Sequence, residues 1–376
     1  MSNKINVLFL TPSVRLLGAR QSLLALAKQL DKEKFYPIVV CPNAGALSDE
    51  LIKAGIEVVF IKLYNWRKGK YFLFRPFSVL KLRKLIKERN IDLIHNNESW
   101  TTPYAVNAIK KLKKIPIITH MRLSITPRRI KNYLLNKVDK IIVVSQGSKS
   151  FFEHDKEILP KVEVVYNGVD IEPFKKGADR QEVRRELGLN ENDILIGHLA
   201  LYSDRKRQLI TLEAARKVIA KNQNCHFLFC GMSSPDSTEY EDALRNKIKE
   251  YGLKKNVRMM KFRNDVNKVF AALDINLLIS SDEGFGRVII EAGVFAVPSI
   301  GTLIGGIPEL IDNSKSGVLI KLDDVNALTE KIFLLADNPD QRKQMGIASE
   351  KRVQDLFTIQ VHTKKIESIY ENLLNI

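Results

Sequence analysis

Glu283 and Glu291 bracket the segment Glu283-Gly284-Phe285-Gly286-Arg287-Val288-Ile289-Ile290-Glu291, the stretch of the chain best suited to chemistry. Residues 274–280 before it are mostly apolar and read as a buried strand. A strand, a glycine turn and a helix start present free backbone N–H groups to a phosphate, and the helix N-terminus favours its charge. Gly284 and Gly286 let the backbone approach. Glu283 can reach hydroxyls from the turn, and Glu291 from about two helical turns further on. A phosphate site flanked by two hydroxyl acceptors points to a nucleotide-sugar. A glutamate that only caps a solvated helix is the plainer alternative.

The elements that must position these groups alternate along the chain, strand-like then helix-like, which predicts parallel α/β architecture. Strands are expected at 6–11, 36–41, 57–61, 93–95, 115–119, 140–144 and 162–166, with helices such as 22–30 and 79–89 between them. A second series follows at 194–199, 226–230, 257–260, 274–279 and 299–300. The expected division is a basic Rossmann-like domain over 1–169, a connection over 170–192, a second Rossmann-like domain over 193–357 and a C-terminal helix over 358–376. Two such domains would face each other across a cleft, with ligands beyond the strand C-termini and the last helix crossing back to the first domain.

No apolar run approaches the ~18 residues of a membrane span, and the N-terminus lacks a signal-peptide pattern, so the chain reads as cytoplasmic. Cys41, Cys225 and Cys230 lack metal-ligand spacing, no Asp-x-Asp pair follows a suitable strand, and neither a metal nor another cofactor is expected. The charge is uneven. Residues 1–175 hold 31 Lys+Arg against 15 Asp+Glu, and residues 62–149 alone hold 21 against 4. That asymmetry calls for an anionic partner: lipid, nucleic acid or glycan. Residues 64–77 interleave aromatics with cations, including Trp66, Arg67, Lys68, Lys70 and Arg75, a mixture suited to an anionic membrane surface. Arg122, Arg128, Arg129 and Lys131 add to the same half. A solvated basic surface with its aromatics in the core is the alternative. No nucleic-acid motif accompanies the charge, so nucleic acid is not expected.

Taken in order, these segments resemble the retaining glycosyltransferase family 4 (glycosyl transferases group 1), enzymes of the GT-B fold. The resemblance rests on Glu283 and Glu291 at E-x7-E spacing with Ala292, on Pro298-Ser299-Ile300-Gly301-Thr302, on Gly305-Gly306-Ile307-Pro308-Glu309 and on Gly317. Asn167-Gly168-Val169-Asp170 with Phe174, and Leu17-Gly18-Ala19-Arg20-Gln21-Ser22 before the first helix, extend it. It implies transfer of a sugar, a hexose by expectation, from a UDP- or GDP-sugar to a surface-glycan or lipid-linked acceptor. The protein would then lie peripherally on the inner face of the cell membrane.

The resemblance also implies residue roles. Glu283 would hold hexose hydroxyls or stabilise charge at the anomeric carbon, and Glu291 would accept the ribose hydroxyls. Gly284, Phe285, Gly286, Arg287 and Val288 would line the donor, Gly18 would approach its phosphates, and His120 would contact its sugar. His95, with Asn96, Asn97 and Glu98, would form a polar cluster at the cleft rim for the acceptor. The family supplies an Arg and, five residues on, a Lys-Gly. Here Leu201 stands at the Arg position, Lys206 at the Lys, and Arg207 replaces the Gly. Lys206, helped by Arg205 or Arg207, is the expected cation for the leaving diphosphate. Leu201 leaves a second reading open, a nucleotide-sugar-binding or scaffold protein of the same fold with weakened catalysis.

Overall fold

The computed structural model describes residues 4–16, 18–66, 68–110, 112, 114–122, 125–233 and 238–376; Leu17 and Arg67 lie outside the described residues. The chain divides into two units, Met1–Gly168 with Ile359–Ile376, and Val169–Thr358.

The first unit contains strands β1 (Ile5–Leu10), β2 (Phe35–Cys41), β3 (Glu57–Phe60), β4 (Leu93–Asn96), β5 (Ile117–Met121), β6 (Lys140–Val143) and β7 (Val162–Val164). They form one parallel sheet in the order β3-β2-β1-β4-β5-β6-β7. A parallel sheet is covered on both faces, so its strands are apolar on both. In β1, Val7 and Phe9 pack with Leu23, Leu26 and Tyr370, while Leu8 and Leu10 pack with Leu82 and Tyr104. The helix Ile359–Leu374 buries Ile366, Ile369 and Tyr370, a stripe at three- and four-residue spacing, in the first of these cores.

One strand of this unit is displaced along the chain from its expected range. β5 starts at Ile117 rather than 115, because Pro116 has no N–H to give to a ladder. Its carbonyl instead accepts from the Ile94 N–H at 3.0 Å. His120 therefore sits inside β5, opposite Ile142, and not after the strand.

The second unit contains β8 (Ile194–Leu199), β9 (Cys225–Gly231), β10 (Val257–Lys261), β11 (Ile275–Leu278), β12 (Ser299–Thr302) and β13 (Gly317–Ile320), parallel in the order β10-β9-β8-β11-β12-β13. Residues 170–192, expected as a connection, are folded into this unit. Their helix Arg180–Glu186 carries Arg184, which is 3 % exposed, pairs with Asp274 at 3.0 Å and donates to the carbonyls of Ala272, Asn190 and Asp193. A buried guanidinium with both terminal nitrogens paired holds the segment in place.

Each sheet reverses its order once, between β1 and β4 and between β8 and β11. Crossovers leave in opposite directions there, and a crevice opens at the strand C-termini. No described helix is long and apolar enough to cross a membrane.

Candidate functional site

The switch point of the second unit brings together the two segments of greatest chemical interest. The loop after β8 carries Lys206, the loop after β11 carries Glu283, and the two side chains form an ion pair. Both are mostly buried, at 14 % and 19 % exposed. The Arg205 carbonyl ties the loops together by accepting from the Ser281 N–H at 2.9 Å and the Ser280 hydroxyl at 3.2 Å. Glu283 is also held through its backbone. Its carbonyl accepts from the Gly306 N–H at 3.1 Å, and a Cβ on Gly305 would lie 1.9 Å from that oxygen. Gly305 (φ +55°) is thus a close-approach glycine under the key carboxylate.

Gly286 adopts φ +103° before the helix Arg287–Gly293, and a Cβ there would meet Leu278 at 2.9 Å. Phe285 and Val288 were expected to line a ligand. The Phe285 side chain is instead buried, with its ring edge-on to Phe357 at 6.0 Å, and Val288 packs against the core. Only their backbone is suited to the donor. Glu291, buried, accepts from Arg287 one turn before it at 3.0 and 3.2 Å.

The cations divide clearly. Arg207, at the family's Gly position, keeps the left-handed conformation that a glycine adopts freely (φ 48°). Its guanidinium is committed to Asp204 and, at 3.0 Å, to Asp323, so it does not replace the missing arginine. Hydrogen bonding to Asp204 and burial act in opposite directions on it, and the first prevails, raising its pKa. Arg205 is half exposed and has one long pair to Asp282 at 3.5 Å. Leu201 is exposed, and its carbonyl accepts from Gln208 at 2.9 Å.

At the first unit's switch point Gly18 (φ +31°) precedes the helix Ala19–Gln29, with open space where a Cβ would lie. A second ion pair spans this crevice, from Arg20 to Glu98 at 2.8 Å. The expectations from sequence missed it, although both residues stood in segments singled out there. Trp100 donates to Glu98 at 3.1 Å, and Arg122 donates to the carbonyl and side-chain oxygen of Asn97 at 2.8 and 3.0 Å. His95, expected at a rim, is buried and shares a 2.6 Å hydrogen bond with the Tyr370 hydroxyl. The rings of His95, His120 and His362 stack in a column, with centroids 5.6 and 6.0 Å apart. Arg122 lies 3.3 Å from His120 Nδ1 and can only donate, so the neutral ring carries its proton on Nε2. That atom is buried without a partner among the described residues.

Trp66 packs edge-on to Tyr104 at 4.9 Å, and Arg75 lies over it at 5.0 Å, so both are half-buried. Lys68 and Lys70 are exposed.

Burial, then the charge of Arg122, pushes His95 and His120 well below the usual imidazole range, and burial with Lys206 nearby brings His198 to about 3. Below the unfolded value of ~6.5 the unfolded chain binds protons that these rings refuse. Stability is therefore full above that pH. As pH falls it drops by about 1.4 kcal/mol per unit for each such ring, in both units. Thermal unfolding between pH 8 and pH 5 checks this, and a flat midpoint would contradict neutral buried rings.

Residues 17–173 match the family described as Glycosyltransferase Family 4, and residues 179–352 the family described as Glycosyl transferases group 1. The chain belongs to glycosyltransferase family 4. Among relatives, the UDP-Gal:alpha-D-GlcNAc-diphosphoundecaprenol alpha-1,3-galactosyltransferase of Escherichia coli is 24 % identical, over 99 % of this chain and 98 % of its own. The N-acetyl-alpha-D-glucosaminyl L-malate synthase of Bacillus anthracis is also 24 % identical, over 81 % of each chain. Among solved structures, HepE of Anabaena in complex with UDP superposes with a TM-score of 0.85 at 23 % identity, covering 98 % of this chain and all of the other. A glycosyltransferase of Rickettsia africae gives 0.87 at 22 % identity, covering 99 % of each. The fold is GT-B, and the protein is a glycosyltransferase.

Proposed function

We propose that this family-4 glycosyltransferase moves a hexose, with retention, from a UDP- or GDP-sugar to a surface-glycan or lipid-linked acceptor, peripherally on the inner face of the cell membrane. The Lys206–Glu283 pair across the β8/β11 switch point, with Glu291 on the helix that follows, carries the reading. Lys206 leaves Glu283 for the donor diphosphate, which also takes backbone N–H groups around Gly284 to Val288 and requires no metal ion. Glu283, freed of its partner, holds the hexose and the positive charge that grows at its anomeric carbon. Glu291 turns from Arg287 to the ribose hydroxyls. The leaving phosphate assists the incoming hydroxyl. In the first unit His120 donates through Nε2–H to a substrate hydroxyl, and Arg20, Glu98 and Arg122 receive the acceptor. UDP as the carrier is supported by the relative named for UDP-Gal and by the neighbour in complex with UDP; the lipid-linked acceptor is supported by that relative's diphosphoundecaprenol.

Mass spectrometry of bound and hydrolysed nucleotide-sugar, with calorimetry on UDP-, GDP- and ADP-sugars, tests the donor. No binding at millimolar concentration would sink the donor reading. Leu201 favours the second reading, a donor-binding protein with weakened catalysis. Leu201→Arg separates the two. A restored cation on the diphosphate should tighten the donor about 10-fold, a modest charge-assisted contact, and raise turnover. Tighter binding without turnover would favour the binding protein.

A further inference from the structure

The 3-10 turn Gly69–Phe74 runs directly into the helix Arg75–Glu88. That helix already has a buried face, made by Ser78, Leu82, Leu85 and Ile86. The opposite side mixes lysines with large apolar side chains, where a surface helix would be polar throughout. Phe72, Leu73, Phe77 and Leu80 are 67 %, 75 %, 66 % and 57 % exposed. Apart from the terminal Ile376, they are the most exposed large hydrophobic residues among those described. Single exposed apolar side chains are ordinary, but four within nine residues form a patch.

The patch sits in a stretch of one-sided charge. Residues 62–87 hold nine Lys and Arg and no Asp or Glu. Lys68, Lys70, Lys81, Lys84 and Lys87 are exposed. Beside the patch lies a groove of about 280 Å³, lined by Trp66, Phe72, Arg75, Val79, Arg83 and Lys110. Arg75 lies over the Trp66 and Phe72 rings, at 5.0 and 5.7 Å, so apolar and cationic surface meet on one floor.

We propose that this ridge inserts into an anionic phospholipid bilayer, with Phe72, Leu73, Phe77 and Leu80 entering the acyl boundary and the surrounding lysines on the headgroup phosphates. The proposal rests on the membrane reading above and names the element that makes the contact and how it does so. Two observations select the occupant. A second copy of the chain would set nine cations against nine, which like-charge repulsion opposes. A nucleic-acid backbone would meet the cations but leave Leu73 and Leu80 without a partner, since neither stacks on a base. A bilayer satisfies both features, with apolar depth under a layer of negative charge. Attraction to the headgroups is screened by salt, whereas the insertion is not. Binding is therefore partly salt-resistant, unlike the adsorption of a basic surface.

The test is flotation of the full-length protein with phosphatidylcholine vesicles, with and without phosphatidylglycerol, at low and high salt. The expected result is binding to the anionic vesicles that persists in part at high salt. In the triple variant Phe72→Ser, Leu73→Ser, Phe77→Ser it should fall by about 10-fold or more. The variant should keep the wild-type unfolding midpoint and the wild-type rate of UDP-sugar hydrolysis, since the three side chains are exposed and outside the donor site. Binding that salt abolishes completely and the variant leaves unchanged would overturn insertion, and equal binding to neutral vesicles would overturn the role of charge. A soluble dimer that the variant dissolves, with no vesicle binding, would assign the ridge to a second copy instead. Vesicle binding without turnover of any UDP- or GDP-sugar would overturn the donor reading and leave the ridge standing.

Discussion

Glu283→Gln should lower kcat for sugar transfer by about 10²–10³-fold, the scale of one lost electrostatic contact to a transition state. The unfolding midpoint should stay near wild type, because the amide keeps the shape of the side chain and the backbone anchor of Glu283 on Gly306 is untouched. Lys206 can still donate to the amide oxygen but loses its charge partner. It becomes more available to the diphosphate, so donor affinity should hold or tighten while turnover collapses. That split separates a residue acting on the transition state from one that only binds. Steady-state kinetics with calorimetry on the same donor measure both halves. Near-normal kcat would remove Glu283 from the reacting centre.

Gly305→Ala should do nearly as much damage without removing any chemical group. Its Cβ would lie 1.9 Å from the Glu283 carbonyl oxygen, in backbone at φ +55° that an alanine adopts at a cost. Overpacking and strain together should destabilise the second unit by about 2–4 kcal/mol. The carbonyl must also move, and Glu283 with it. A displacement near 1 Å at a reacting group costs about 10²-fold in rate. Gly346→Ala is the control. Its Cβ would meet the Ala296 carbonyl, also at 1.9 Å, within the helix Pro339–Leu356 and away from Glu283. It should lower the unfolding midpoint comparably and leave kcat unchanged. Equal loss of kcat in both variants would mean that stability, not the position of Glu283, sets the rate.

Much of the architecture was readable before any coordinates, because it depends on neighbours in sequence. The segments that form β1, β8 and β11 are largely buried on both faces and show as mostly apolar runs. Gly286 and Gly305 mark turns where a side chain would be strained or would clash. Lys206 and Glu283 stood out by type and spacing, and the structure pairs them. The strand expected at 115–119 begins two residues later, because Pro116 interrupts the apolar run with a residue that has no N–H for a ladder.

Other features depended on partners far apart in the chain. His95 looked like a rim residue at the end of a strand, yet Tyr370, 275 residues later, folds over it and removes it from water. The Arg20–Glu98 pair joins segments 78 residues apart, and only the strand order of the first sheet makes them neighbours. Among the aromatics of 64–77, composition suggested Trp66 as the membrane contact. Packing buried part of Trp66 against Tyr104 and turned Phe72, Leu73 and Phe77 outward instead. Arg207 looked able to replace the cation missing at Leu201, but its left-handed backbone commits it to Asp204 and Asp323.

Residue types, periodicity and turn chemistry were enough to assign the parallel α/β class, since it follows from local sterics; the GT-B family was legible only as a resemblance of ordered motifs, which also marked Glu283 and Glu291 as candidate donor ligands. Which cation meets which carboxylate, which aromatic faces water and which histidine is dry were settled only by tertiary structure. Those outcomes turn on burial and on contacts closed across long loops, where a few ångströms of placement decide the electrostatics.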